Sequence, residues 1–271
     1  MRAGRRARRV AVVLAVLGLL SGATWYALTH LSTVVVAECT GTVKGDSYDL
    51  DPDQAENATT IAVEAHRLGL PAHAVSVGLA AALQESKLRN LDYGDRDSLG
   101  LFQQRPSQGW GTPAQLQQPA YAAAAFFKGL RKVEGWETLP IYQAAQRVQR
   151  SADATAYAVW DTEARTLAQV LTGQVPAGYT CRYPSIPKPR ATTSQALSEA
   201  IASSLGPEAV SASVERSYGW TVASWLISRA PTYSITRVSF DGWTWTSKRN
   251  SWRRDATHAR GQVSYSLRSG S

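Results

Sequence analysis

The chain has 271 residues, 44% hydrophobic and 18% charged, which excludes a disordered polyelectrolyte and a many-pass membrane protein. Its formal charge of +8 invites a nucleic-acid partner until the charge is located. Residues 1–9 carry five arginines and no acid, residues 10–181 carry 12 basic and 16 acidic groups, and residues 182–271 carry 12 and 5. The three stretches therefore hold +5, −4 and +7, and each implies different physics.

In the first stretch, Arg2, Arg5, Arg6, Arg8 and Arg9 lead into residues 10–28, which contain no charged side chain. Nineteen residues at about 1.5 Å rise reach roughly 28 Å, near the hydrocarbon thickness of a bilayer. Trp25 and Tyr26 fall at the far end, where amphipathic rings favour the interface. The pattern predicts a basic cytoplasmic tail over 1–9 and a transmembrane signal-anchor over 10–28. It places the N-terminus inside the cell membrane and the bulk of the chain on the extracytoplasmic side. A cleaved signal peptide is the alternative, with Val35-Val36-Ala37 as its cleavage site. One span cannot line a transport path. Cys39 and Cys181 are the two cysteines, and an oxidising compartment predicts that they form a disulfide. Their spacing excludes a zinc ribbon and a C-x-x-C redox motif.

From residue 50 to 173 the chain reads as mostly helix. Asp51 caps a first helix with Pro52 at its first position, and Gly69 and Pro71 end it. A second helix runs from Ala72 to Leu88, with Val75, Leu79, Ala82 and Leu83 on one face. Residues 92–98 carry turn chemistry, and the apolar run 99–104 suits a strand or extended loop. Pro119 opens a third helix through Phe126, Phe127 and Val133. Helices over about 140–150 and 152–172 follow, the last capped by Ser151 and ended by Gly173. Asp49, Asp51 and Asp53 have calcium-loop spacing. Gln54 stands where such a loop needs glycine and Thr60 where it needs an acid, so no metal site is expected there. His66 and His73 lack partners at ligand spacing and read as surface or loop residues. No phosphate-binding loop and no Ser/His/Asp pattern stands out.

Glu85 ends an apolar stretch, with Ala81 and Ala82 one turn back on its helix face. An acid against apolar walls loses hydration, and the negative end of a helix adds to the same effect. Both keep the carboxyl protonated near neutrality, as a general acid on a glycosidic oxygen requires. A surface Glu paired with Arg89 at i+4 is the plainer reading of that position. Glu85-Ser86, followed by Gly100-Leu101-Phe102-Gln103, resembles the paired motifs of lysozyme-like lytic transglycosylases. The third family motif, Ala-Tyr-Asn, corresponds to Ala144-Ala145-Gln146, and a later family tyrosine to Tyr157. The likeness spans about residues 55–172. It implies that Glu85 acts as general acid and then base, and that Ser86 orients substrate. It further implies that Gln103 and Gln146 contact sugar and that Tyr157 points at the catalytic carboxyl. Ala145 in place of the family's tyrosine removes a cleft aromatic, and Gln146 adds a methylene to the family's asparagine. Asp92, Asp95 and Asp97 read as turn and capping residues. With one acid in hand, cleavage assisted by the sugar's own acetamido group to a 1,6-anhydro product is what the resemblance implies. No cofactor and no metal are called for.

Residues 182–193, with Pro184, Pro187 and Pro189, read as a stiff linker. Beyond it come a helical stripe (Leu197, Ile201, Leu205) and a second helix over Gly219–Ala230. A hairpin turning at Asp241-Gly242 follows, then a last strand through Val263, Tyr265 and Leu267. Residues 210–267 resemble a C-terminal module of secreted actinobacterial cell-wall proteins, through Gly219-Trp220, Trp225, residues 238–242 and Trp252. The His-x-His strand associated with that module is replaced by Gln262-Val263-Ser264, so the module is not expected to be catalytic. Five of the nine tryptophans lie here, fit either for a small core or for stacking on sugars. The +7 charge suits an anionic cell-wall polymer, and a solvated basic face equally.

The expected fold is a mainly α lysozyme-like domain (α+β), preceded by one transmembrane helix and followed by a small α+β domain. The expected boundaries are 39–181 for the lysozyme-like domain, 182–193 for the linker and 194–271 for the basic module. The expected function is a membrane-anchored peptidoglycan-cleaving glycosidase, most naturally a lytic transglycosylase. The partners are peptidoglycan strands and the membrane rather than nucleic acid. A catalytically idle lysozyme-like protein that binds wall glycan or organises an envelope complex is the second reading.

Overall fold

The computed structural model describes residues 36–150, 155–211, 213–258 and 260–269, and residues 37–271 make one compact unit. Strands β1 (Glu38–Val43) and β2 (Asp46–Leu50) form a hairpin. Its two-residue turn, Lys44-Gly45, holds both positive φ angles that such a turn needs. β1 is also the middle strand of a three-stranded antiparallel sheet, with β3 (Tyr179–Arg182) on its other side. Cys39 and Cys181 stand opposite each other in that pairing and are joined by a disulfide.

Helix α1 (Pro52–Arg67) starts at Asp51, whose backbone N–H donates to Gln54 Oε1 at 2.8 Å. Asp51 and Asp53 both pair with Arg89, and Asp49 accepts from Thr40 Oγ1, so the three spaced acids are tied to protein partners. Helix α2 (Ala72–Ser86) is apolar on all sides and buried from Ala74 through Leu83, as a central helix must be. Gly78 lets it close on its neighbours: a Cβ there would lie 3.0 Å from Phe127 and 3.1 Å from Ile61. Around it lie the short α3 (Pro113–Leu116), α4 (Pro119–Leu130), α5 (Ile141–Gln149) and α6 (Asp161–Leu171). The expected 152–172 helix is helical from Asp161, after a single 3-10 turn over Ala158–Trp160. Its expected cap, Ser151, lies outside the described residues.

The rest of the chain holds α7 (Thr193–Ala200), a π turn over Ile201–Leu205, and α8 (Arg216–Ser228). A second antiparallel sheet follows, in the order β6-β5-β4-β7. Its strands are β4 (Ile235–Phe240), β5 (Trp243–Thr246), β6 (Ser251–Arg254) and β7 (Ser264–Leu267). The Asp241-Gly242 turn is where the sequence places it; β6, like β1, β2 and β3 of the first sheet, is a strand the sequence reading did not anticipate.

The expected fold class needs correction. The described residues are about 45% helix and 15% strand, in two antiparallel sheets, so the fold is α+β rather than a mainly α domain with a small appendix. The C-terminal part is also joined to the first part through shared core. The Trp245 and Trp252 indole N–H groups donate to the Cys181 and Tyr179 carbonyls at 3.1 and 2.7 Å. Thr221 Oγ1 donates to the Leu171 carbonyl, and Tyr183 O–H to the Ser228 carbonyl, both at 2.8 Å. Tyr183 and Ile186, in the proline-rich stretch, are buried. The Arg229 guanidinium lies 4.4 Å from the Trp225 ring centre and donates to Thr59, Thr60 and the Glu56 carbonyl of α1. Periodicity marks each of these faces as apolar without naming its partner, and here the two parts are partners to each other. Among the described residues no helix is long and apolar enough to cross a membrane. The span expected at 10–28 lies outside the described residues.

Candidate functional site

Glu85 sits in the last turn of α2, and the backbone just beyond it is unusual. Lys87 and Leu88 are consecutive non-glycine residues with φ of 54° and 59°, a conformation that costs roughly 1–2 kcal/mol each. Side chains of α1 hold it in place. Gln54 Nε2 donates to the Lys87 carbonyl and Asn57 Nδ2 to the Leu88 carbonyl, both at 2.8 Å, while the Leu88 side chain is buried. The helix therefore stops abruptly and leaves the Glu85 side chain at its end, half-buried.

The Tyr157 O–H donates to Glu85 Oε1 at 2.6 Å, and Tyr157 itself is buried. Gln149, at the end of α5, hydrogen-bonds the same carboxyl and donates from Nε2 to the Phe102 carbonyl at 2.8 Å. Burial pushes the Glu85 carboxyl above the ordinary carboxylate range, with the bonds from Tyr157 and Gln149 and the Lys87 charge pulling the other way. A carboxyl raised in this way is suited to give a proton and take it back.

The run 99–104 is a tight turn rather than a strand. Leu99 and Gln104 close it with a reciprocal backbone pair at 3.0 and 3.1 Å, and Gly100 (φ 75°) and Gln103 (φ 47°) supply the reversal. The Ser86 hydroxyl is buried and donates to the Leu101 carbonyl at 2.7 Å, so it fastens this turn to α2. Gln103 Nε2 donates to the Tyr93 and Gly100 carbonyls, both at 3.2 Å. Gln146 is half-exposed on α5, three residues before Gln149 and on the same face. Ala145 is fully buried. Asp97 accepts from Arg105 and from the Ser107 backbone and hydroxyl, which hold it well below the usual carboxylate range. It is an organiser of the following loop, in keeping with its turn reading.

Sequence reasoning passed over four neighbours of Glu85. Besides Gln149 they are Gln84, Lys87 and Trp160. The Trp160 indole donates to Gln84 Oε1 at 2.8 Å, and the Lys87 ammonium lies 4.0 Å from the Trp160 ring centre. Glu163, in the first turn of α6, is likewise raised by burial, with the Lys87 charge opposing. The available signals were helical spacing for Gln149, one turn after Gln146, and the three-residue step from Tyr157 to Trp160.

No protein-family model matches the chain, and no curated protein matches it in sequence.

Proposed function

We propose that the protein is an extracytoplasmic glycosidase that cleaves peptidoglycan strands, with Glu85 as its acid and base, by the lytic-transglycosylase route. The observation that carries the reading is the half-buried Glu85 carboxyl, raised by desolvation and bonded by Tyr157. The motif order Glu85-Ser86, Gly100 to Gln103, Gln146, Tyr157 supports the substrate class, and the Cys39–Cys181 disulfide supports an oxidising compartment.

In this mechanism neutral Glu85 gives its proton to the glycosidic oxygen as the bond to C1 breaks. The acetamido oxygen of the same sugar closes on C1 and holds the developing positive charge. The C6 hydroxyl then attacks C1, the bond from C1 to the acetamido oxygen breaks to regenerate the acetamido group, and the hydroxyl proton returns to the Glu85 carboxylate. The product is a 1,6-anhydro ring, no water is consumed, and the enzyme ends in its starting protonation state. Tyr157 and Gln149 steady the carboxylate during the interval in which it is charged.

The test is digestion of purified peptidoglycan by the full chain, with released fragments read by mass spectrometry beside Glu85→Gln. Anhydro-ended fragments lost by at least about 100-fold in the variant are expected. Ordinary reducing ends would make the enzyme a hydrolase. No Glu85-dependent release, with the protein still pelleting on the wall, would replace the enzyme with a glycan-binding protein.

A further inference from the structure

The far end of the second sheet carries a feature that Glu85 chemistry does not use. Trp243 and Arg254 are paired across β5 and β6, and the Arg254 guanidinium lies 4.2 Å from the Trp243 ring centre. With Ser251, Trp252 and Arg253 they line an open groove of about 640 Å³. Arg254 also borders a second depression of about 180 Å³, which contains Arg260. Four of the five C-terminal tryptophans (Trp220, Trp225, Trp245 and Trp252) are buried as core, whereas Trp243 is half-exposed.

The charge here is unbalanced. Among the described residues Arg253, Arg254 and Arg260 form no ion pair. The two nearby acids are committed elsewhere: Asp241 to Arg216 at 2.9 Å, and Asp255 to Thr257, Thr244 and His258. Arg253 and Arg254 take opposite faces of β6, so the guanidinium beside the accessible indole is that of Arg254, with Arg260 in the depression that Arg254 shares. Guanidinium forks match phosphate oxygens, and an indole face matches the C–H face of a sugar ring.

We infer that the Trp243–Arg254 groove is a binding site for a glycan chain carrying phosphodiester groups. Its phosphates bridge Arg254 and Arg260, and a sugar ring lies against Trp243. The disulfide places this basic surface in an oxidising compartment, where an anionic envelope polysaccharide is a more natural polymer than nucleic acid. The inference does not rest on the Glu85 reading.

The test measures binding of the full chain to a glycosylated poly(ribitol phosphate). Inorganic polyphosphate of matched charge, a neutral dextran and single-stranded DNA run alongside. The sugar-phosphate polymer should bind at least tenfold more tightly than any of the three. Trp243→Ala, whose ring also packs on the core, and Arg254→Glu should each weaken it tenfold or more while Glu85-dependent activity is retained. Glu85→Gln should bind like the wild type. Equal affinity for polyphosphate or DNA, or binding indifferent to both groove variants, would overturn the site and leave a generic basic face.

Discussion

At Glu85 one carboxyl is caught between opposing effects, and each can be removed separately. Burial favours the neutral acid, while the Tyr157 and Gln149 hydrogen bonds favour the carboxylate. Tyr157→Phe and Gln149→Leu therefore raise the Glu85 pKa further. The basic limb of the pH–rate profile, where the acid loses its proton, should move upward in both variants. A profile that only drops in height would show that these side chains do not set the proton. The same balance predicts a stability effect that needs no substrate. A carboxyl raised on folding binds its proton more tightly in the native state. Its cost to stability is absent below the unfolded-chain value of about 4.3 and grows as pH rises through the folded value. Glu85→Gln should thus melt higher than wild type at pH 7, by a margin that shrinks toward pH 3. A margin independent of pH would count against the assignment. The position of Glu85 was legible as an acid at the end of an apolar helix. The arrival of Gln149 at it was not, because the side chain comes from a helix 64 residues later along the chain.

At the scale of elements, short-range chemistry marked some boundaries and missed others, such as the helix expected from 152 that begins at Asp161. The Asp51-Pro52 start, the Asp241-Gly242 turn and the Pro119 start each depend on a few adjacent residues. Sequence placed the 99–104 segment correctly as a connection between helices but missed its form. Left-handed Gln103 is enforced by packing and hydrogen bonds, and no local propensity requires it. The joint between α8 and the second sheet rests on Gly219, where a Cβ would run into the Phe240 ring. Gly219→Ala gains about 1 kcal/mol of helix propensity but overpacks a full core. A net loss of about 2 kcal/mol is expected, read as a lower melting temperature with α8 otherwise helical. Neutral or improved stability would mean that the ring moves aside freely.

For the whole molecule, the shared core between the two parts makes unfolding cooperative. Far-UV circular dichroism, dominated by the helices, and tryptophan fluorescence, with five of the nine tryptophans in the C-terminal part, should melt together. Two separated transitions would restore independent domains. Arg229 crosses that joint with three hydrogen bonds to α1 and stacks on Trp225 of its own helix, so Arg229→Met should destabilise the chain by roughly 3 kcal/mol. Reduction of the disulfide opens a loop spanning 142 positions, and the chain-entropy argument puts the loss at up to about 5 kcal/mol. Both losses should lower the single transition without splitting it.

Sequence by itself determined features whose causes lie within a few residues: the Asp51-Pro52 and Pro119 helix starts, the Asp241-Gly242 turn, the apolar setting of Glu85 and the division of charge along the chain. It also made the cysteine pair readable, because two cysteines allow one intrachain bond. Tertiary structure decided what those elements face. It turned a supposed linker and module into part of a common core, brought Gln149 to Glu85, and left Trp243 accessible while the other four C-terminal tryptophans were buried. The reason is physical. Periodicity records that a face is apolar, since burial from water is non-directional, and only packing selects which other face covers it.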